Sequence, residues 1–378
     1  MNKHKYFVLD ILRGLSALFV VFYHYFIFFF TQPELSAALL AIEPLYLPDP
    51  FYIGFLERLP FNIGYLGLGF FFSITGFLIQ PSLERYATLK TFLVHKIVRL
   101  WPTYAVCFGT SLLFVVLFST LRGSPFPYSF THVLSYFFWV RDIFFYNYPY
   151  IDGSVWTLEI QIKFYLLAGL IWALVGKKNF LEKICLITVL LGLVTYGFYI
   201  HEYEEEHSWL YLILIARSNL KFYTFILLGA CVYSYYKKRI SWGKAGGLCT
   251  LLMAYFLSPL FHSYQFQTTM SYILGFGIFT FLILMYGETM KEKGLIEKSI
   301  KWLSDISYPL YAGHVLPGYT MMFLMVENGL SVFYGAFAGI VYSLFMATVV
   351  HKNVEDFFLH LNKKAFSYTK KKQHLPMP

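Results

Sequence analysis

Residues 13–24 read RGLSALFVVFYH, in which ten uncharged residues are bracketed by an arginine and a histidine. The stretch lies in an apolar run at about 8–30, long enough to cross a hydrocarbon core of roughly 30 Å as a helix. Eleven helical steps make about three full turns, so Arg13 and His24 share one helix face about 16 Å apart along the axis. The run is too long for the apolar part of a signal peptide and no small-residue cleavage site follows it. We therefore expect it to be retained as the first membrane helix.

The composition of the whole chain is that of a membrane protein. Of its 378 residues, 58% are hydrophobic and 13% are charged, whereas soluble domains contain roughly 25% charged residues. The apolar runs predict ten spans, at about 8–30, 61–80, 102–120, 154–175, 181–200, 209–236, 245–262, 268–287, 303–326 and 329–350. The segment 131–147 is apolar but interrupted by Arg141 and Asp142, and we expect it to be re-entrant or interfacial. The predicted fold class is an all-α polytopic membrane protein.

The distribution of basic residues predicts the topology. The net charge is +9, but the basic residues alternate between loops, so membrane orientation explains them better than a nucleic-acid partner. With a cytoplasmic N-terminus, the cytoplasmic segments hold Lys3, Lys5, Arg85, Lys90, Lys96, Arg99, Lys177, Lys178, Lys237, Lys238, Arg239, Lys291, Lys293, Lys298, Lys301, Lys370, Lys371 and Lys372. The opposite segments hold Arg58, Arg122, Arg141 and the acidic run at 201–207. This separation predicts an even number of spans, with both termini cytoplasmic.

The chain is predicted to have two parts, a membrane bundle and a cytoplasmic tail. Residues 1–350 form the predicted membrane bundle, and residues 351–378 form a cytoplasmic basic tail with a short amphipathic segment on the inner leaflet. Because no other segment is large enough to fold alone, we expect any chemistry to take place within the bundle or at its faces.

Ionisable residues inside apolar runs are the candidates for function, because such groups are costly in a membrane. Arg13 fits either a cytoplasmic anchor or a ligand-binding cation. His24 and His314, both at membrane depth, fit either packed histidines or proton-transfer groups. Lys96 and Arg99 precede LWPTY, and they fit either inner-face anchors or a cradle for the phosphates of a cytosolic cofactor.

The segment DGSVWTLEIQIKFYLL at 152–167 places further polar groups at the outer entrance to the fourth span. Trp156 fits an interfacial anchor. Glu159 and Lys163 are four residues apart and would either neutralise each other or, with Gln161, continue a polar path across the membrane.

Five motifs in order resemble the acyltransferase-3 family, bacterial integral-membrane enzymes that O-acetylate surface polysaccharides. They are the Arg-x10-His pair, GFFFSITGFLI at 69–79, the Lys-x-x-Arg step before LWPTY, WTLEIQIKFYLL at 156–167 and SYPLYAGH at 307–314. The resemblance covers about residues 6–350. It implies a ten-helix core in the bacterial cytoplasmic (inner) membrane, acetyl-CoA or a longer acyl-CoA as donor, and a glycan or lipid-linked glycan as acceptor on the outer side. Nothing in the sequence suggests a metal, and we expect none.

The resemblance also implies roles for individual residues. Arg13 and His24 match the essential pair of the family, and lysine replaces the first arginine of the basic step. The catalytic candidates are His24, Arg13, Glu159 and His314; those for the CoA phosphates are Arg13, Lys96 and Arg99; those for the acceptor are Trp156, Gln161 and Tyr165. The family usually has an acidic residue where this chain has Gln161, so either Glu159 takes over that role or the carboxylate is dispensable.

Two other functions remain open from the sequence. A transporter or flippase of a lipid-linked sugar or small amphiphile would also place ionisable groups in the membrane, but it gives the cytoplasmic cations no obvious purpose. An inactive relative of the acyltransferases is suggested by Gln161 alone. The acceptor, whether lipopolysaccharide O-antigen, exopolysaccharide or another hydroxyl compound, is not specified by the residues.

Overall fold

The computed structural model describes residues 6–86, 88–145, 148, 150–202, 210–258, 266–287 and 294–361. The helices in this part of the chain are α1 Phe7–Tyr23, α2 Phe29–Thr31, α3 Pro33–Ala38, α4 Ile53–Arg58, α5 Ile63–Phe77, α6 Ile79–Arg85, α7 Leu89–Leu121, α8 Phe130–Phe137, α9 Arg141–Phe144, α10 Val155–Val175, α11 Phe180–Glu202, α12 Leu210–Tyr236, α13 Trp242–Leu257, α14 Phe266–Tyr286, α15 Leu295–Gly313, α16 Val315–Glu327 and α17 Val332–Val350. The described residues contain no β-strand, which confirms the predicted all-α class.

Within the described residues, eight helical stretches are long and apolar enough to cross a membrane. They are Phe7–Thr31, Ile63–Arg85, Leu89–Leu121, Val155–Val175, Phe180–Phe198, Tyr211–Tyr236, Phe266–Tyr286 and Val332–Leu361, and they coincide with eight of the ten predicted spans. The other two predicted spans are also helical. One is α13, which has 16 residues, and the other is divided at His314 into α15 and α16. The chain is therefore a multi-pass membrane protein.

The third spanning helix begins earlier than the sequence predicts. α7 starts at Leu89 rather than at about 102, because Thr88 and Thr91 form a reciprocal cap and Pro102 is accommodated inside the helix. Lys96 and Arg99 therefore lie on the helix α7 itself. Because they are three residues apart, they project from neighbouring positions on one side of it.

Two glycines bring α5 into direct backbone contact with α12. A Cβ atom on Gly76 would lie 1.6 Å from the carbonyl oxygen of Ile226, and one on Gly229 would lie 2.0 Å from that of Ser73. Small residues permit this close approach of membrane helices, where packing rather than water exclusion holds the helices together. The contact fixes the position of α5, which forms one wall of the site described below.

Gly76→Ala is therefore expected to destabilise the bundle by at least about 1–3 kcal/mol, since the added methyl group forces the two backbones apart. The measurement is the thermal midpoint of the purified protein in detergent. Gly109→Ala is the matched control, because a Cβ at Gly109 on α7 meets no atom within 4 Å. An equal midpoint for the two variants would contradict the close crossing.

The ends of the bundle differ in detail from the sequence prediction. The predicted re-entrant segment 131–147 contains α8 and α9, which have 8 and 4 residues and are too short to cross a membrane. The last spanning helix continues past Val350 through a π-helical turn, His351–Glu355, and is helical through Leu361, the last described residue. The first part of the segment predicted as a tail is thus helical. The lysines at 370–372 and most of the acidic run at 201–207 lie outside the described residues.

Candidate active site

A cavity lies inside the bundle between α1, α5, α7, α10 and α15. It contains about 910 Å³ of empty space, part of it open to solvent. Its walls are mainly apolar and aromatic. One end lies where α1 and α7 begin and α17 ends, which is the predicted cytoplasmic end of the bundle.

Three cations line that end of the cavity. The structure brings together Arg13 from α1 with Lys96 and Arg99 from α7, as the sequence analysis expected. Lys96 is only 6% exposed, and its ammonium lies 4.3 Å from the ring centroid of Tyr165. Among the described residues, none of the three cations has a hydrogen bond or an ion pair. Buried charges without partners are unfavourable, so the arrangement favours an anionic ligand.

Two of the three predicted acceptor residues line the same cavity. The Gln161 side chain donates from Nε2 to Thr75 Oγ1 at 3.0 Å and to the Tyr165 hydroxyl at 2.7 Å. All three of these side chains face the cavity. Trp156 is placed elsewhere and packs against Phe222, with ring centroids 5.2 Å apart. The position where the resemblance implied an acidic residue is therefore part of the cavity wall and is occupied by a neutral amide.

Glu159 does not line this cavity. It precedes Gln161 by two residues, which places the two side chains on different faces of α10. Glu159 is buried, and its Oε1 accepts the backbone N–H of Arg141 at 3.2 Å. On the same side of α10, the Lys163 ammonium forms an ion pair with Asp142. The structure thus groups Glu159 with the segment after α8, and a catalytic role for Glu159 stays a prediction.

The two intramembrane histidines contact each other. His24 Nδ1 lies 2.9 Å from His314 Nε2, because α1 packs against α15. Neither histidine lines the cavity itself, but the pair lies about one helical turn past Val20 of α1 and Tyr311 of α15 in its wall. The sequence indicated both histidines separately but contained no signal for their contact.

The hydrogen bonds of the pair define its tautomers. His314 Nδ1 lies 3.1 Å from the carbonyl oxygen of Leu310 and 3.0 Å from that of Tyr311. Because a carbonyl can only accept, Nδ1 of His314 carries the proton, and Nε2 of the neutral ring is an acceptor. His24 then donates from Nδ1 to His314 Nε2. This leaves the lone pair of His24 Nε2 available to act as a base or a nucleophile.

Irregular backbone at both histidines shapes this arrangement. The α1 helix continues through a π-helical turn, His24–Phe28, a feature often found at functional sites. On the other side the helix breaks at His314, and Pro317 has no N–H to donate. The carbonyl of His314 accepts the Tyr25 hydroxyl at 2.5 Å and the Gly318 N–H at 3.1 Å. Tyr25 and the π turn were not predicted, since apolar periodicity carries no signal for either.

A buried turn at 152–154 contacts the histidine region through Tyr311. Asp152 Oδ1 accepts the backbone N–H and the hydroxyl of Ser154, both at 2.7 Å. The Tyr311 hydroxyl donates to the Ser154 carbonyl at 3.2 Å and is 2.7 Å from Thr157 Oγ1. The turn thereby holds α10 and α15 together three residues before His314. Burial raises the pKa of Asp152 to about 6, above its ordinary value of 3.8.

The raised pKa predicts a specific pH dependence of stability. Since the folded state favours the neutral carboxyl, the contribution of Asp152 to stability is fully present below pH 3.8 and is lost as the pH rises through about 6. Asp152→Asn keeps the acceptor oxygen without the charge, so we expect it to be more stable than wild type at pH 7.5 by roughly 3 kcal/mol. Thermal midpoints of both proteins between pH 4 and pH 7.5 measure this. If the midpoints of wild type and Asp152→Asn changed with pH in parallel, the raised pKa of Asp152 would be contradicted.

The fold and the site define a class: a multi-pass membrane protein with a cation-lined cavity and paired histidines just past its wall. Residues 6–352 match the family model of the acyltransferase-3 proteins, described as an acyltransferase domain. The chain therefore belongs to the acyltransferase-3 family, as the sequence motifs predicted, and it is an acyltransferase. It is also similar to the "Putative acetyltransferase ORF330" of Acidianus two-tailed virus, with 24% identity over 318 residues that cover 81% of each chain. No solved structure matches the chain significantly.

Proposed function

We propose that the protein transfers an acyl group, most simply acetyl, from cytosolic acyl-CoA to a hydroxyl of a cell-surface glycan such as O-antigen or exopolysaccharide. One observation carries this proposal. Three cations that have no ion-pair partner in the described part of the chain line one end of a cavity, and a histidine pair lies one helical turn past its wall. An acyl-CoA has the matching layout, because its phosphates are joined to its thioester by a long, narrow pantetheine arm.

The cations would bind the phosphates of CoA. Arg13 and Arg99 present guanidinium groups suited to bidentate phosphate contacts, and Lys96 supplies a third charge. Arg13 and His24 are separated by about 16 Å along α1, a distance that an extended pantetheine arm can cover. Its amide groups would pass Thr75 and Gln161, the polar side chains of the cavity wall.

His24 would carry the chemical step. In the direct route, Nε2 takes the proton of the acceptor hydroxyl while the oxygen attacks the thioester carbonyl. The C–O bond forms, the C–S bond breaks, and the proton passes from His24 to the leaving thiolate to give CoA. In the covalent route, Nε2 itself attacks the carbonyl and expels CoA as the thiolate. The acceptor hydroxyl then displaces His24 from the acyl-imidazolium, and the hydroxyl proton passes to the thiolate of CoA.

His314 would act as a positioning residue. By accepting from His24 Nδ1, it keeps the lone pair of His24 on Nε2, and that hydrogen bond strengthens when His24 becomes an imidazolium. The carbonyls of Leu310 and Tyr311 hold the His314 ring in turn. The sequence analysis suggested Glu159 for catalysis and Trp156 for acceptor binding. Because neither residue lines the cavity, each would have to act from outside it.

The acceptor would approach His24 from the side opposite the cations. With the N-terminus in the cytosol of a bacterial cell, the donor enters from the cytoplasm and the glycan, free or lipid-linked, reaches the histidines from the outer face of the inner membrane. This geometry keeps donor and acceptor on separate sides of the bilayer until they meet at the histidine pair.

Transfer of labelled acetyl from acetyl-CoA tests the proposal. Membranes that contain the wild-type chain and its native glycan should incorporate label into the glycan fraction, and membranes with His24→Ala should not. Label that accumulates on the wild-type protein when acceptor is withheld would favour the covalent route. Absence of any acyl-CoA-dependent label with the native glycan present would contradict the proposal and favour the transporter or flippase.

A further inference from the structure

Among the described residues that line the cavity, one is a carboxylate, Glu355. Glu355 lines the cavity together with Arg13, Lys96 and Arg99, and it is 7% exposed. It is carried by the π turn that continues α17, just beyond the segment 6–352 that matches the family. An acidic side chain inside a proposed phosphate site is unexpected, because it opposes the charge of the ligand.

Glu355 does not occupy the donors of the cations. Its Oε2 pairs with His351 Nδ1 at 2.9 Å, and among the described residues it forms no ion pair with Arg13, Lys96 or Arg99. It nevertheless lies within electrostatic range of Arg13, as do Asp10 and Asp305, neither of which lines the cavity. The carboxylate therefore lowers the positive potential of the cavity and leaves the guanidinium N–H groups of Arg13 and Arg99 available to a ligand.

Building on the proposed acyl-CoA donor, we propose that Glu355 is a resident counter-anion of the phosphate site, which weakens the binding of CoA and speeds its release. Without a ligand, its charge stabilises the half-buried Arg13. When CoA phosphates occupy the cations, the same charge repels them, and the repulsion is strong because few water molecules screen it there. The two effects act in the same direction, since both favour the ligand-free state.

The neighbouring residue provides a matched control. Asp356 also interacts with His351, with Oδ2 at 3.9 Å from Nε2, but its side chain is 49% exposed and does not line the cavity. Glu355→Gln and Asp356→Asn each remove one negative charge from adjacent positions on the same helix. Only the first changes the charge inside the cavity.

Titration of purified full-length protein in detergent with CoA, followed by calorimetry, tests the inference. Glu355→Gln should lower the Kd for CoA by about tenfold at low salt, with a smaller change at high salt. Asp356→Asn should leave the Kd unchanged, and Glu355→Asp, which keeps the charge, should resemble wild type. Glu355→Ala removes the same charge and replaces Glu355→Gln if that variant does not fold. In the transfer assay, free CoA should inhibit Glu355→Gln more strongly than wild type.

The outcomes separate this inference from the proposed function. If wild type binds CoA and Glu355→Gln binds it equally or more weakly, Glu355 is not a counter-anion, while the acyl-CoA proposal stands. If both charge-removing variants tighten binding equally, the effect is a general one of net charge and the inference is overturned. If wild type shows no saturable CoA binding, both the inference and the proposed function fail.

Discussion

His24→Ala is expected to lower kcat for acyl transfer by about 10²–10⁴-fold, the usual contribution of a general base, or by more if His24 forms an acyl-enzyme. The KM for acyl-CoA should change little, because the cations proposed to bind the phosphates lie about 16 Å away along α1. The measurement is steady-state transfer with purified protein and acceptor. The control is His360→Ala, the same substitution at an exposed position.

Two variants at His314 test whether its hydrogen bond to His24 contributes to activity. If His314 acts by accepting a hydrogen bond from His24, His314→Gln should retain more activity than His314→Leu, because a glutamine side-chain oxygen can replace the accepting nitrogen. Equal losses in both variants at equal thermal stability would show that His314 only packs. A rate for His24→Ala within tenfold of wild type would contradict the role of His24 itself.

Lys96→Met is expected to change affinity and stability in opposite directions. The affinity for CoA should fall by about 10–100-fold, because a charge-assisted hydrogen bond contributes roughly 1.5–3 kcal/mol. The thermal midpoint of the ligand-free protein should rise, because the substitution removes a buried charge that has no ion-pair partner among the described residues. Methionine has a similar length and a flexible apolar side chain that fills the space beside Tyr165.

Calorimetry with CoA and thermal melts of the ligand-free protein measure both effects. Lys90→Met, on the same helix but exposed, should leave affinity and midpoint unchanged. If the ligand-free Lys96→Met protein melted at a lower temperature than wild type, Lys96 would stabilise the folded protein. In that case a loss of CoA affinity could not be assigned to a missing phosphate contact.

Much of the architecture could be predicted from the sequence because a membrane imposes a simple requirement. A helix that crosses it needs a long apolar run, and such runs are visible without any knowledge of packing. The shared face of Arg13 and His24 follows from helical geometry alone. Arg13 was expected near Lys96 and Arg99, because all three are candidates for the CoA phosphates at the cytoplasmic end of the bundle.

The contacts between distant segments could not be predicted in this way. His24 and His314 are 290 residues apart, and only the packing of α1 on α15 joins them. Helical periodicity separates Glu159 from Gln161 on α10 but does not say which of them faces the cavity; the structure selects Gln161. Glu355 was overlooked because its segment was assigned to a cytoplasmic tail.

A structure of the protein with a non-hydrolysable acetyl-CoA analogue, determined by cryo-electron microscopy, tests the central claim most directly. We expect phosphate density beside Arg13, Lys96 and Arg99, and the pantetheine arm along Gln161. The acyl carbonyl carbon should lie about 3–3.5 Å from His24 Nε2, the separation of a reactive complex. An analogue bound outside this cavity, or one whose acyl group points away from the histidine pair, would contradict it.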